Sequence, residues 1–264
     1  MLELSEIAKM PRGGPDASWL DRRLQTDRLE YLDREDVDEL KRKVIEALDR
    51  KGRRRFLGAY TLGARAALRE VADIASPRIL ELGCGLGGLS RKLLELHPAT
   101  HVTVSDIEPG HVAEVAASDL GRHPRATVRA MDATDIDATD GSYDLAVFAA
   151  SLHHLPPQMA VRVFAEGTRA ANKLLIMDLR RPRSPMHVML VASVLPLAPL
   201  APLAHDGIIS SLRAYSPAAL RAIARCADPT ITVEFRAIPW GITTMVASRA
   251  QRITDQGGNH EPVQ

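Results

Sequence analysis

The chain has 264 residues, room for one large domain with a substantial core or for two small ones. Hydrophobic residues make up 45% and charged residues 25%, an ordinary globular mix, and a formal net charge of +1 removes any global pull toward nucleic acid or an anionic membrane. Cys84 and Cys226 form neither a CxxC pair nor a metal-ligand spacing, so a disulfide scaffold is excluded, no metal is expected, and a reducing cytoplasmic setting is.

Met1 to Lys9 carries Glu3 and Glu6 and no long apolar run, so no signal peptide is expected. A loose arm follows, up to Pro15. Asp16 to Asp33 is predicted helical, with Leu20, Leu24 and Tyr31 roughly on one side. Asp36 offers an N-cap for a helix carrying Val37, Leu40, Val44, Ile45 and Leu48, ended by Gly52, and a further helix runs from Phe56 to about Ile74. The basic run Lys51 to Arg55 has no interleaved aromatic residues for base stacking and reads as a solvated helical face; no nucleic-acid partner is expected.

After Pro77 the texture changes. Arg78–Leu82 is a short apolar run into a glycine-rich turn, and a helix follows from about Gly88 to Leu96. His101–Ser105, Ala126–Ala130, Tyr143–Ala149 and Leu174–Leu179 read as strands, with helices over Gly110–Leu120 and Pro157–Ala171 and an acidic loop, Asp132–Asp140, between two of the strands. Such alternation with short connections predicts a parallel sheet covered on both faces. Ser216 and Pro217 open a helix to about Ala227, and Ile231–Arg236 and Ile242–Ser248 form a strand pair joined around Pro239–Trp240–Gly241, with no helix between them and so antiparallel. The polar tail is predicted disordered.

The turn Gly83-Cys84-Gly85-Leu86-Gly87-Gly88 ends a strand and opens a helix, where missing Cβ atoms let the backbone turn tightly and let a ligand approach it. Gly83-x-Gly85-x-x-Gly88 also satisfies the dinucleotide fingerprint, which alone is weak. Glu81 separates the two readings. It stands where a dinucleotide site usually has an apolar residue, and an acid there can bind the amino or carboxylate end of a ligand. Asp106, ending the next strand, can accept both hydroxyls of a ribose.

From Ile79 to about Leu179 the chain resembles the class I S-adenosylmethionine-dependent methyltransferases, in particular the bacterial small-molecule, natural-product type. Glu81-Leu-Gly-Cys-Gly-Leu-Gly resembles that family's first motif, Asp106 its ribose-binding acid with Ile107 beside the adenine, and Met131-Asp132-Ala133 its adenine-contacting segment. Tyr143 to Leu155 resembles the fourth strand and its exit loop. The resemblance implies a doubly wound, seven-stranded, mostly parallel α/β sheet (Rossmann-like) ending in an antiparallel pair. It implies S-adenosylmethionine as cofactor, S-adenosylhomocysteine as product, and Glu81, Gly83, Cys84, Gly85, Gly87, Asp106, Ile107, Asp132 and Ala133 as the residues around them.

His153 and His154 follow the fourth strand at the carboxyl edge, where such folds bind ligands. A base there would serve a hydroxyl, ammonium or acidic-carbon acceptor. In an extended loop adjacent side chains point opposite ways, so one of the two would face the methyl group. The resemblance favours His154 and leaves His153 nearer the cofactor. Tyr60, His205, Asp206 and Tyr215 are further candidates.

Met186 to Ala204 is uncharged and reaches membrane-spanning length, but Pro196, Pro199 and Pro202 would remove hydrogen bonds that lipid cannot replace. It reads as a lid over a hydrophobic acceptor or over core alone, with Arg180, Arg181 and Arg183 as lid anchors, contacts to an acidic acceptor or a membrane surface, or solvated charges. The expected layout is an arm and capping helices over 1–75, a catalytic domain over 76–249 with the lid at about 180–215, and a disordered tail over 250–264. A small, hydrophobic, secondary-metabolite-like acceptor is expected as partner, with no transmembrane span and with a homodimer left open. Two rivals stand beside methyl transfer: a nicotinamide-dependent oxidoreductase, for which no Tyr-x-x-x-Lys dyad is found, and a non-catalytic S-adenosylmethionine-binding protein.

Overall fold

In the computed structural model, residues 3–53, 58–198, 201–236 and 242–250 are described. Arg54 and Arg55 of the basic run, Phe56 and Leu57 of a predicted helix, Pro199 of the apolar segment, the Pro239–Trp240–Gly241 turn and the tail beyond residue 250 lie outside them.

The apolar runs form the strands they predict: β1 (Arg78–Leu82), β2 (His101–Asp106), β3 (Ala126–Ala130), β4 (Tyr143–Ala149), β5 (Ala171–Leu179), β6 (Ile231–Arg236) and β7 (Ile242–Arg249). They make one sheet of order β3-β2-β1-β4-β5-β7-β6, with the first five parallel and β7 antiparallel to both its neighbours. Successive side chains of a strand leave on opposite faces. Leu80, Leu82, Ala146, Phe148, Leu174 and Ile176 therefore fill one core, while Ile79, Leu145, Val147, Leu175 and Met177 fill the other. Being buried on both sides is why these strands are continuously apolar instead of alternating.

The helices are α1 (Leu4–Ile7), α2 (Trp19–Arg23), α3 (Asp38–Gly52), α4 (Ala59–Glu70), α5 (Gly88–Leu96), α6 (Pro109–Ala117), α7 (Pro157–Ala170), α8 (Ser184–Val194), α9 (Pro202–Arg213) and α10 (Pro217–Ala227). Ile7, Phe164 of α7 and Leu220, Ile223 and Ala224 of α10 join the first core, and Ala64 and Ala67 of α4, Leu89 and Leu93 of α5 and Val115 of α6 join the second. The sheet order reverses between β1 and β4, so the turn after β1 and the loop after β4 open into the same crevice at the carboxyl edge, the usual ligand site of such sheets.

The N-terminal region departs from expectation. Only Trp19–Arg23 of the predicted Asp16–Asp33 helix is α-helical, followed by extended backbone and a 3₁₀ turn at Tyr31–Asp33. The reason is a buried guanidinium: Arg181 Nη2 takes the carbonyls of Asp21 and Leu24, at 3.1 and 2.7 Å, which a continuing helix would need for itself. Nor does Asp36 cap the next helix; its carboxylate pairs with Arg34 at 2.6 Å, and α3 starts at Asp38.

The apolar segment after β5 is broken into α8, a 3₁₀ turn at Leu195–Leu197 and α9, with Pro185, Pro196 and Pro202 in the first turns of these elements, where a missing N–H is tolerated. Among the described residues no helix is long and apolar enough to cross a membrane.

Candidate active site

The glycine turn is built by its backbone. Gly83, Gly85 and Gly87 have φ of 63°, 52° and 72°, the left-handed region that costs a side-chain-bearing residue roughly 1–2 kcal/mol. Gly87 also closes on the Leu120 side chain, where an added Cβ would lie 2.6 Å from a methyl carbon. Gly85 differs: nothing lies within 4 Å of the direction its Cβ would take. Its freedom serves an open cradle and not internal packing.

Asp106 reaches that cradle. Its Oδ2 accepts the Gly85 N–H at 2.8 Å and its Oδ1 the Glu108 N–H at 2.9 Å. Burial opposes the charge, but the imidazole of His111, 3.6 Å away, and these two N–H groups outweigh it and hold the carboxyl below the ordinary range. Ile107 beside it is 66% exposed, a bare apolar surface at the sheet edge. The Met131 N–H donates to the Asp106 carbonyl at 3.0 Å, which draws Asp132 and Ala133 to the same edge. Asp132 Oδ1 itself accepts the Thr134 N–H at 2.7 Å.

Glu81 lies below the turn on the α5 face of β1 and accepts the Ser90 hydroxyl. Being wholly buried, its carboxyl is pushed up to about 7. Cys84 is buried as well, its thiol raised well above the ordinary range by desolvation, and it acts as a small filler instead of a nucleophile.

The histidine loop begins beside this turn. Ser151 Oγ lies 2.9 Å from where a Cβ on Gly83 would stand, and Ala150 adopts a left-handed φ of 52°. Strain of this kind persists where the surroundings fix it. Leu152–His154 is a 3₁₀ turn and not an extended loop, so the expected opposition of the two rings fails. The imidazoles of His153 and His154 lie side by side, with ring centroids 4.2 Å apart.

Each ring is held by a carboxylate. His153 Nδ1 meets Asp178 Oδ1 at 2.7 Å, while the His153 backbone N–H donates to Asp178 Oδ2 at 2.9 Å. His154 Nδ1 meets Asp33 Oδ1 at 2.7 Å, and Asp33 Oδ2 takes Arg213 Nη1 at 2.5 Å. Arg213 also donates to the His154 carbonyl. Glu30 approaches from the N-terminal arm, its carboxylate 3.5 Å from His153 Nε2 and 4.0 Å from His154 Nε2. Burial works against a charge on His153, yet Asp178 and Glu30 outweigh it and push its pKa up to about 9. His153 is 4% exposed and His154 21%, so His154 is the ring that a molecule in the crevice can reach.

Residue reasoning on the sequence placed both histidines at this edge but missed Glu30, Asp33, Asp178 and Arg213. Asp178 carried a signal, an acid ending the strand beside β4; the other three carried none that precedes the tertiary fold. The further candidates are held by other contacts. The Tyr215 hydroxyl donates to the Leu155 carbonyl at 2.8 Å under the Arg12 guanidinium, and His205 stacks on Tyr31 at 4.3 Å with Asp206 accepting the Tyr31 N–H. The Tyr60 hydroxyl donates to Asp49 at 3.3 Å. Of the arginines beside the apolar segment, Arg181 is a buried anchor paired with Asp21 at 2.9 Å, while Arg180 and Arg183 are exposed.

A β3-β2-β1-β4-β5-β7-β6 sheet with an antiparallel end, a glycine cradle after β1 and an acid closing β2 make up a Rossmann-like fold shared with solved methyltransferase structures. Residues 79–173 match the family model described as a methyltransferase domain. A malonyl-[acyl-carrier protein] O-methyltransferase of Geobacter sulfurreducens is 34% identical over 92 residues, 35% of this chain and 33% of that one. A ubiquinone biosynthesis O-methyltransferase of Xanthomonas oryzae pv. oryzae is 30% identical over 111 residues, 41% of this chain and 46% of that one. The chain thus spans about a third to a half of the length of these relatives. The human N-acetylserotonin methyltransferase structure, solved with S-adenosylmethionine, shares the fold with a TM-score of 0.59 at 14% identity, covering 94% of this chain and 66% of that one.

Proposed function

We propose that this protein transfers the methyl group of S-adenosylmethionine to a small, apolar acceptor, with the His153–His154 turn assisting the acceptor. The observation that carries the reading is the junction of Gly85 with Asp106: an open backbone cradle beside a carboxylate held ionised, with exposed Ile107 alongside. These residues fit the cofactor. Asp106 would take the ribose hydroxyls, Ile107 and Asp132–Ala133 would flank the adenine, and Gly83, Gly85 and Gly87 would admit the chain bearing the sulfonium, with Glu81 beneath its amino end. When bound, the cofactor supplies an electrophilic methyl group, so the protein contributes mainly alignment and exclusion of water.

His154 is the better placed of the two histidines. Asp33 fixes its Nδ1 as donor, which leaves Nε2 to accept a proton from an acceptor in the crevice, while buried His153 positions the turn through Asp178. On this reading the N-terminal arm, which supplies Glu30 and Asp33, and α9, which supplies Arg213, cap this edge. Met186, Met189 and Leu190 of α8 are exposed and uncharged, which favours an apolar acceptor. An oxygen nucleophile accords with two relatives being O-methyltransferases. A cytoplasmic setting belongs to the same reading.

Calorimetric titration with S-adenosylmethionine, S-adenosylhomocysteine and NAD(H), repeated on Asp106→Ala, tests the cofactor. Binding of the sulfur nucleotides, weakened roughly ten- to a hundredfold in the variant, is expected; binding of NAD(H), or of nothing, overturns the reading. Transfer of labelled methyl to a panel of hydroxylated aromatic compounds then separates an enzyme from a protein that only binds the cofactor.

A further inference from the structure

The Glu30–His153–His154 cluster has a geometry that acid–base work does not require. Both Nδ1 atoms are engaged by carboxylates, His153 by Asp178 and His154 by Asp33, at 2.7 Å each. A carboxylate can only accept, so each Nδ1 is the donor, and a ring in its neutral form presents a lone pair at Nε2. Both Nε2 atoms turn toward the Glu30 carboxylate, at 3.5 and 4.0 Å. Two imidazoles and an anion aimed at one point need a cation among them, either the proton that His153 holds or a metal ion that displaces it. Glu30 Oε1 is buried and has no hydrogen-bond partner. The anchoring of ligand histidines through their second nitrogen by carboxylates is the arrangement that orients imidazoles on a metal.

We propose that Glu30, His153 and His154 bind a divalent transition metal of the zinc type, through Glu30 Oε1 or Oε2 and the two Nε2 atoms. One ligand atom from each residue can be chosen so that all lie within 4.8 Å of one another. A tetrahedral zinc ion with bonds of about 2.0–2.1 Å spaces its ligands roughly 3.3 Å apart, so a modest contraction of the three side chains closes the site. Two imidazoles and one carboxylate with a fourth position open is a catalytic donor set and not a closed structural one. The open position falls on the side of His154, since His153 and Glu30 are 4% and 2% exposed and His154 is 21%. Asp178, Asp33 and, through Asp33, Arg213 form the supporting shell. Cysteine and histidine spacing cannot reveal such a site, because Glu30 comes from the N-terminal arm and the histidines from the turn after β4. The binding stands on this geometry alone; with the metal bound, the ion would take over from His154 Nε2 the activation of an acceptor oxygen beside the methyl donor, and only that role rests on the methyl-transfer reading.

The test uses the full chain stripped with chelator and titrated with Co(II) and Zn(II), reading the visible Co(II) absorption and the imidazole ¹⁵N resonances. Uptake of one ion per chain, with a tetrahedral or five-coordinate nitrogen–oxygen Co(II) spectrum and shifts at two histidine Nε2 atoms, is expected. Affinity should fall on the order of a hundredfold in Glu30→Gln and in His154→Gln. S-adenosylhomocysteine binding, measured on the same samples, should persist, which separates this site from the cofactor reading and shows that the variants fold. If wild-type protein takes up no metal at micromolar concentration, or its His153 and His154 resonances do not move, the proposal is wrong. Variants that bind as tightly as wild type overturn it equally.

Discussion

Glu81 offers the sharpest quantitative test, because a single buried carboxyl is displaced far from its ordinary behaviour. It lies on β1 against α5, with Ser90 donating to it and no basic side chain in hydrogen-bonding contact among the described residues. Desolvation raises its pKa from an ordinary 4.5 to about 7 in the folded chain. The folded state therefore holds the proton more tightly than the unfolded state does. Its contribution to stability is fully present below about pH 4.5 and is lost as pH rises through about 7. At about 1.36 kcal/mol per pH unit, the interval amounts to about 3 kcal/mol. Glu81→Gln keeps an acceptor for Ser90 and removes the ionisation. Urea unfolding of both chains without cofactor, at intervals from pH 5 to pH 8.5, is the assay. The stability difference between variant and wild type should shift in favour of the variant by about 2.5 kcal/mol across that range, since part of the effect is already lost at pH 5, with the other titrating groups cancelling. A difference that stays constant with pH would refute the buried, raised carboxyl.

Asp106→Ala removes the acceptor for the Gly85 and Glu108 N–H groups and the proposed ribose contact; losing one charge-assisted hydrogen bond, about 1.5–3 kcal/mol, should weaken S-adenosylhomocysteine binding by roughly ten- to a hundredfold in calorimetry. Arg213→Ala strips Asp33 of its ion pair and the His154 carbonyl of its donor, and should destabilise the fold by about 3 kcal/mol in urea unfolding, since Arg213 is buried and Asp33 mostly so. A loss under about 1 kcal/mol would show that solvent replaces the pair. Phe164→Ala empties the centre of the core between α7 and the sheet and should cost about 3–5 kcal/mol, lowering the thermal midpoint without changing the cofactor affinity of the folded fraction.

What the sequence made legible is local. Continuous apolar runs such as Leu145–Phe148 need only be buried on both faces to be strands, and Gly83, Gly85 and Gly87 mark a turn because no other residue takes its φ cheaply. Asp106 was legible because the end of a strand beside that turn is fixed by the sheet register itself. What escaped is the charge network across the crevice. Asp16–Asp33 has the spacing of a helix, but its carbonyls are claimed by Arg181, a residue of the β5 exit whose burial nothing in the local pattern announces.

The same long-range contacts decide the chemistry. His153 and His154 could be placed at the site from their position after β4, yet the orientation of each ring is set from outside the turn, by Asp178 at the end of β5 and by Asp33 in the arm. A 3₁₀ turn brings adjacent rings to one side, where an extended loop would have parted them, and that local difference turns two alternative bases into one paired unit. In the proposed reaction the arm and α9 therefore do more than cover an acceptor. By delivering Glu30, Asp33 and Arg213 to the histidines they complete the proposed catalytic edge, so on that proposal deleting the arm should disable acceptor chemistry while leaving the Gly85–Asp106 cradle, built wholly within β1, β2 and their turns, able to hold the proposed cofactor.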